Sequence, residues 1–234
     1  MDELGSHCIW SNESCLPPEL GGHVAECHAL RHWQLVDCPG VFDHLILPTA
    51  HAYKLDLTNI AQRWYGTASK KHPGVSDLLS GSGWFLAGDV SVFEPLPSNR
   101  RRQELSPKQT RQVFAHKGWS RIVGFHTRNV IHRAHEYLIS SALDTSNADG
   151  VLVSPITGPK KTGDFLPDPI LRSYQAMLDI GVLPPSKTVL SSLPMYPRYA
   201  GTREAIFTAL CRKNMGCSHF IFGRDHAGVG AFYD

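Results

Sequence analysis

Gly124-Phe125-His126-Thr127-Arg128-Asn129-Val130-Ile131-His132-Arg133-Ala134-His135-Glu136 is the stretch whose reading decides the fold. An apolar strand running from Ile122 to Phe125 gives out at its start. A threonine, an arginine and an asparagine then form a turn, and two histidines three apart open a helical stretch. Residues three apart on a helix share a face. His132 and His135 therefore point at one object beside the helix N-terminus, where free backbone N–H groups and the helix dipole favour an anion. Arg128 adds a fixed, always-charged fork suited to phosphate or sulfate. The pattern is that of a polyanion site, and a nucleoside triphosphate fits it best. An isolated pair of histidines is more often solvated or structural than catalytic, so the reading rests on the strand before it and the helix after it.

A second segment repeats the chemistry. Phe220-Ile221-Phe222-Gly223-Arg224-Asp225-His226-Ala227-Gly228-Val229-Gly230 is again an apolar strand ending in a glycine-bordered turn, here carrying Arg, Asp and His. In an open α/β sheet, ligands bind beyond the carboxyl ends of the strands, and two such turns are expected to converge there.

Working outward, the pattern is regular over the second half of the chain. Ser106 and Pro107 give a helix start with a cap and a first-turn proline, for a helix to His116. Strand 119–125 leads to helix 132–143, strand 150–154 to helix 168–180, strand 187–192 to helix 201–213, and strand 218–222 to the second polar turn. Alternating strands and helices imply a parallel sheet. The unbroken apolar runs Val151–Val153 and Phe220–Phe222 suit strands buried on both faces. Upstream the reading is sparser: a short strand over 41–47, a helix over 55–64, a short helix at 75–79 inside a loop, and a strand over 84–93 broken at Gly88. Residues 1 to about 50 show no sustained periodicity. The expected class is α/β, a Rossmann-like parallel sheet preceded by a small irregular N-terminal region.

Composition sets the outer limits. The 234 residues are 42% hydrophobic, with 23 basic and 21 acidic residues and a net charge of +2. A core is feasible, and the balanced charge gives no case for nucleic acid. No run approaches the roughly 20 apolar residues of a membrane span, and Met1 to Ser14 lacks a signal-peptide design, so a cytoplasmic protein is expected. Four cysteines crowd the first 40 residues, interleaved with histidines. Cys27, His28, His32 and Cys38 make the nearest approach to a zinc set, but there is no CxxC pair and no common zinc spacing. Incidental thiols are the plainer reading, and no metal site is expected.

Other candidates follow strand ends. Lys160 and Lys161 lie in the loop from Ser154 to Asp164, either facing phosphates or solvated. Arg198 and Arg203 are placed to reach the same crevice, Thr202 to cap the following helix, and His72 to serve a turn. There is no P-loop, no GxGxxG and no GxSxG elbow, which disfavours P-loop NTPases, nicotinamide enzymes and α/β-hydrolases.

Several ordered segments together resemble the ATP sulfurylase (sulfate adenylyltransferase) family. Its signatures read roughly QTRNPxHRAHE and GRDHAGxG, against His126 to Glu136 and Gly223 to Gly230 here. Arg198 to Ala205 is similar to RYAGPREA, His72-Pro73-Gly74-Val75 to HPGV, and the loop with Lys160, Gly163 and Asp164 to a further family segment. The resemblance covers about residues 55–234. It implies a nucleotidyltransferase fold of the HxGH type, with a remnant PUA-like region over 1–95 and a catalytic domain over 96–234. It implies that ATP and sulfate give adenosine 5′-phosphosulfate and pyrophosphate, with Mg²⁺ accompanying ATP rather than held in a protein cage. Catalytic roles fall to Thr127, Arg128 and Asn129. ATP contacts fall to His126, Arg128, His132, His135, Gly223, Arg224, Asp225 and His226, and sulfate contacts to His126, Arg128 and Ala227. A homo-oligomer is implied as well.

This chain departs from the family pattern in three ways. His126 replaces the glutamine before Thr-Arg-Asn, which makes the oxyanion's identity a separate question from the reaction class. Val130 replaces the proline after Asn, which is expected to loosen the turn. The family also extends well past GRDHAGxG and has a well-formed N-terminal domain. Two alternatives therefore stand beside sulfate adenylylation: a related nucleotidyltransferase acting on another oxyanion, and a non-catalytic nucleotide-binding subunit.

Overall fold

The computed structural model describes residues 35–38, 42–46, 51–87, 91–92, 98, 100–223 and 226–233. The chain divides into two compact units. One comprises Met1–Pro97, Arg198–Ala205 and Asp225–Asp234, and the other Ser98–Pro197 and Ile206–Arg224.

The second unit is the α/β sheet. Strands β6 (Ile122–Thr127), β7 (Gly150–Pro155), β8 (Thr188–Leu190) and β9 (His219–Phe220) pair in the order β8-β7-β6-β9, all parallel. β7 is buried along its whole length, as expected of an inner parallel strand that meets helices on both faces. Val123, Phe125, Val151 and Val153 project to one face. There they pack with Ile139 of helix α4 (Arg133–Ser146) and with Ile170 and Tyr174 of α5 (Pro167–Asp179). Ile122 and Leu152 project to the other face, against Phe114 of α3 (Pro107–His116) and against Met215 and Cys217 beyond α6 (Thr202–Asn214). Burying each of these large apolar side chains contributes on the order of 1.5–3 kcal/mol.

Local chemistry starts the helices where the sequence places them. At α3, Ser106 accepts from Gln109 N–H while the Gln109 side chain accepts from Ser106 N–H, a reciprocal capping box with Pro107 at the first helical position. The strand expected over 218–222 shortens to His219–Phe220, and Phe222 is 56% exposed. β9 pairs only with β6 and forms a sheet edge among the described residues, so this apolar run is not sandwiched as β7 is.

In the first unit, β1 (Leu35–Cys38), β2 (Phe42–Ile46) and β5 (Ser91–Val92) form an antiparallel sheet. β3 (His51–Lys54) and β4 (Trp84–Ala87) form an antiparallel pair. The stretch expected as strand over 84–93 with a break at Gly88 is thus two strands, and they belong to two different sheets. β1 lies inside the stretch whose sequence showed no periodicity. α1 (Leu57–Tyr65) is capped by Asp56 onto Thr58 N–H, and α2 (Pro73–Ser80) by His72 onto Val75 N–H. Of the cysteine-histidine set, Cys27, His28 and His32 lie outside the described residues, as does the side chain of Cys38. Among the described residues no group of three His, Cys, Asp or Glu is arranged to hold a metal ion, and no helix is long and apolar enough to cross a membrane.

Candidate active site

β6 runs two residues further than the apolar pattern suggested, so His126 and Thr127 close the strand rather than open the turn. Only Arg128 and Asn129 turn the chain. Asn129 N–H donates to Thr127 Oγ1 (3.1 Å), a short loop that fixes the turn from inside. Ile131 N–H donates to Ser173 Oγ (3.1 Å) on α5, and Val130 and Ile131 pack against the core cluster. Val130 therefore anchors the turn through burial where the family proline would have done so through its fixed φ.

His132 is the N-cap of α4 and makes no side-chain cap hydrogen bond. His132 and His135 share a face as expected, with ring centroids 3.8 Å apart and planes tilted 30°. His135 also meets the edge of Phe125 and lies 3.1 Å, through Nδ1, from the Tyr174 hydroxyl of α5. Burial, with the neighbouring His132 as a second cause, lowers His135 to about 4. It is therefore a neutral ring at neutral pH. Burial holds the Tyr174 hydroxyl protonated well above its ordinary range, while a hydrogen bond from Thr127 acts in the opposite sense. The direction of the Tyr174–His135 bond follows the histidine tautomer: with Tyr174 as donor to Nδ1, the neutral ring carries its proton on Nε2. The Thr127 hydroxyl donates to the Asn129 carbonyl at 3.4 Å. Two neighbouring imidazoles at a helix N-terminus, one of them neutral at neutral pH, suit the oxygens of an anion.

Ser173 and Tyr174 were missed by the sequence reading. Both sit on an amphipathic helix 42 and 39 residues from their partners, and nothing local marks them out from a core face.

β7 ends beside β6, with Thr127 opposite Pro155 in the ladder. In the loop beyond it, Lys161 Nζ pairs with Asp164 Oδ1 at 2.6 Å. Lys160 Nζ is enclosed with no hydrogen-bond partner among the described residues. Its pKa falls to about 8, chiefly through burial; Asp164 opposes the shift and Arg100 adds to it. The parallel pairing of β6 and β9 places the turn at Arg128 and the chain leaving Phe220 toward Gly223 at the same edge of one sheet. Gly223 is exposed, while Arg224 and Asp225 lie outside the described residues.

His226 and Ala227 belong to the first unit, as does the segment Arg198–Ala205. Gly201 N–H donates to the Ala227 carbonyl (3.2 Å). The fully buried Glu204 carboxylate accepts from Arg198 N–H (2.9 Å) and Ala200 N–H (3.0 Å). Glu204 thus ties down the chain leading into α6, and Thr202, expected to cap that helix, is its first residue. Arg203 reaches the Trp64 carbonyl at 3.5 Å. His72 is fully buried. Its Nδ1 accepts from Val75 N–H, so Nε2 carries the proton toward the Tyr199 carbonyl (2.9 Å), with the Tyr233 hydroxyl 3.0 Å away.

The ATP-sulfurylase family model matches residues 101–234. The chain belongs to the ATP-sulfurylase family. A PUA-like domain model matches residues 33–95 of this family member. Over 232 residues the chain is 40% identical to a sulfate adenylyltransferase of Symbiobacterium thermophilum, covering 98% of this chain and 57% of that relative. It is 40% identical to the Halothermothrix orenii sulfate adenylyltransferase, with 98% and 59% covered. A probable bifunctional SAT/APS kinase 2 of Sorangium cellulosum is 47% identical over 174 residues, 74% of this chain and 29% of that one. This ATP-sulfurylase family chain thus spans somewhat more than half the length of the two sulfate adenylyltransferases. Among solved structures, a hexameric APS kinase from Thiobacillus denitrificans aligns with a TM-score of 0.52 and 31% identity, over 61% of this chain and 28% of that one.

Proposed function

We propose that the chain carries the adenylyl-transfer site of a sulfate adenylyltransferase, joining the AMP moiety of ATP to sulfate and releasing pyrophosphate. The observation that supports this best is the pair His132 and His135 beside the Thr127-Arg128-Asn129 turn, with His135 held by the Tyr174 hydroxyl. It sits at the carboxyl end of a parallel sheet, in a chain whose family performs this reaction. A sulfate oxygen attacks the α-phosphorus as the bond to the pyrophosphate oxygen breaks, so negative charge shifts to the leaving group. The reaction needs positioning and cationic or N–H stabilisation rather than covalent help from the protein.

In this reading Arg128 binds sulfate, with His126 beside it and the Ala227 backbone as a further contact. Thr127 and Asn129 hold the turn, and Asn129 lies toward the transferring phosphoryl group. The Nε2–H of His135, together with His132, donates to the triphosphate. Gly223, Arg224, Asp225 and His226 border the nucleotide. Mg²⁺ would arrive on the phosphates of ATP. Bound there, it neutralises their charge. Residues 1–95 are read as a PUA-like accessory region and 96–234 as the catalytic domain. A homo-oligomer is in keeping with the hexameric structural relative. A cytoplasmic setting fits Cys211 and Cys217, which are buried thiols not joined in a disulfide.

The test is ATP formation from adenosine 5′-phosphosulfate and pyrophosphate by the purified chain with Mg²⁺, beside Arg128→Ala. Turnover that disappears in the variant supports the reading, and inactivity of a folded wild-type chain would sink it. His126 motivates one second reading, adenylyl transfer to a different oxyanion. Molybdate or selenate supporting faster ATP cleavage than sulfate would favour it.

A further inference from the structure

Arg212 on α6 is the largest fully buried side chain of the described residues, with no exposed surface. Its Nη2 donates to the Ser154 carbonyl at 2.7 Å, while Nε and Nη1 are buried with no hydrogen-bond partner among the described residues. No carboxylate pairs with it there. Burial brings its pKa down to about 10, opposed by the Cys211 and Cys217 thiols, which still leaves it a cation at neutral pH.

The fold itself gains little from such a residue. An unpaired buried charge is costly, and an apolar side chain of similar volume in its place is commonly neutral or stabilising. The surroundings show what the charge lies beneath. Arg212 crosses β6 at Gly124, where a Cβ would come within 3.1 and 3.2 Å of Arg212 Cβ and Cγ, so the glycine lets the stem pass close to the strand. Gly124 and His126 lie on one face of β6, as Leu152 and Ser154 do on β7. The guanidinium ends at the carbonyl of Ser154, whose partner in the ladder is His126. The Ser154 hydroxyl is also buried, with no hydrogen-bond partner among the described residues. A permanent cation therefore lies under the strand ends that lead into the Thr127-Arg128-Asn129 turn, in surroundings that screen it poorly.

We propose that Arg212 is a positioning residue for the anion site, holding the end of β7 through the Ser154 carbonyl and supplying positive potential from beneath the β6–β7 strand ends. This rests on reading those strand ends as an anion site, and not on which acceptor is used.

The test compares Arg212→Met and Arg212→Lys with the wild-type chain. It measures the melting temperature, the binding of pyrophosphate and of sulfate by calorimetry, and the KM and kcat of the reverse reaction. Arg212→Met is expected to keep or raise the melting temperature, yet to bind pyrophosphate at least tenfold more weakly. Arg212→Lys, which retains the charge, should recover most of that binding. Anion binding unchanged in a folded Arg212→Met protein overturns the proposal. So does a weakening that Lys does not relieve, or failure of both variants to fold, because the residue would then serve packing alone. A wild-type chain that binds pyrophosphate in an Arg212-dependent way without turning over leaves this proposal standing and removes adenylyl transfer. A wild-type chain that binds neither anion removes both.

Discussion

Replacing Tyr174 by Phe deletes one oxygen from the line that orients His135. The ring is fully buried and packed in the main core cluster, and Phe fills the same space, so the change is confined to the hydroxyl. It removes the 3.1 Å bond to His135 Nδ1. A neutral hydrogen bond contributes about 0.5–1.5 kcal/mol net, and a partner left without one costs somewhat more. Half-exposed His135 recovers part of this from water, so a total of about 1–2 kcal/mol is expected. In stability that corresponds to a melting temperature lower by roughly 2–8 °C. If the His135 Nε2–H donates to phosphate oxygens in the transition state, a similar energy appears there as a fall of about 5–30-fold in kcat/KM. Two readouts apply: steady-state kinetics in the ATP-forming direction, and nitrogen-15 NMR of the histidine ring. In the wild type, NMR should report a neutral ring protonated at Nε2 at pH 7. In Tyr174→Phe it should report a mixture of tautomers. A wild-type ring protonated at Nδ1, or a variant with unchanged rate and unchanged tautomer, would refute the reasoning.

Three further outcomes are expected. Because burial places the folded pKa of His135 below its unfolded value of 6.5, at about 4, the unfolded chain binds more protons across that window. Stability should be fully present above about pH 6.5 and decline as pH falls toward 4; His72, lowered by the same cause, acts in the same sense. Urea denaturation from pH 7 to 4 should show this slope, smaller in His135→Asn, and an equal slope in the variant would exclude His135 as a contributor. At Gly158 an added Cβ would come within 2.6–2.8 Å of the Met195 and Tyr196 backbone. Gly158→Ala should therefore shift the loop carrying Lys160 and cost roughly 1–3 kcal/mol, read as a lower melting temperature; an unchanged one would contradict the close approach. His126→Gln should keep or improve sulfate use, measured as the KM for sulfate, whereas a collapse in turnover would give His126 a role of its own.

The sequence by itself determined the α/β class, the order of strands and helices from residue 106 onward, and the segments that carry the chemistry. These are written in local patterns: apolar runs of strand length, helical spacing, a capping serine before a proline, polar turns after strands. Helix and strand limits moved by a few residues, because hydrogen bonding rather than apolarity ends an element. His126 and Thr127 remain in β6, and Phe222 falls outside β9.

Tertiary structure alone decided how the turn after β6 is held. Ser173 and Tyr174 occupy ordinary positions on an amphipathic helix, and packing across the β6–β7 face is what brings them to Ile131 and His135. Arg212 reads in the sequence as one base of an Arg-Lys pair near a helix end. Only the path over Gly124 shows that one of the two is sealed beneath the sheet. The grouping of Arg198–Ala205 and Asp225–Asp234 with the N-terminal portion is likewise invisible in the chain order. Periodicity reports which face of an element is apolar. It does not report which polar group from a distant element meets that face, because that depends on distances set only once the layers have packed.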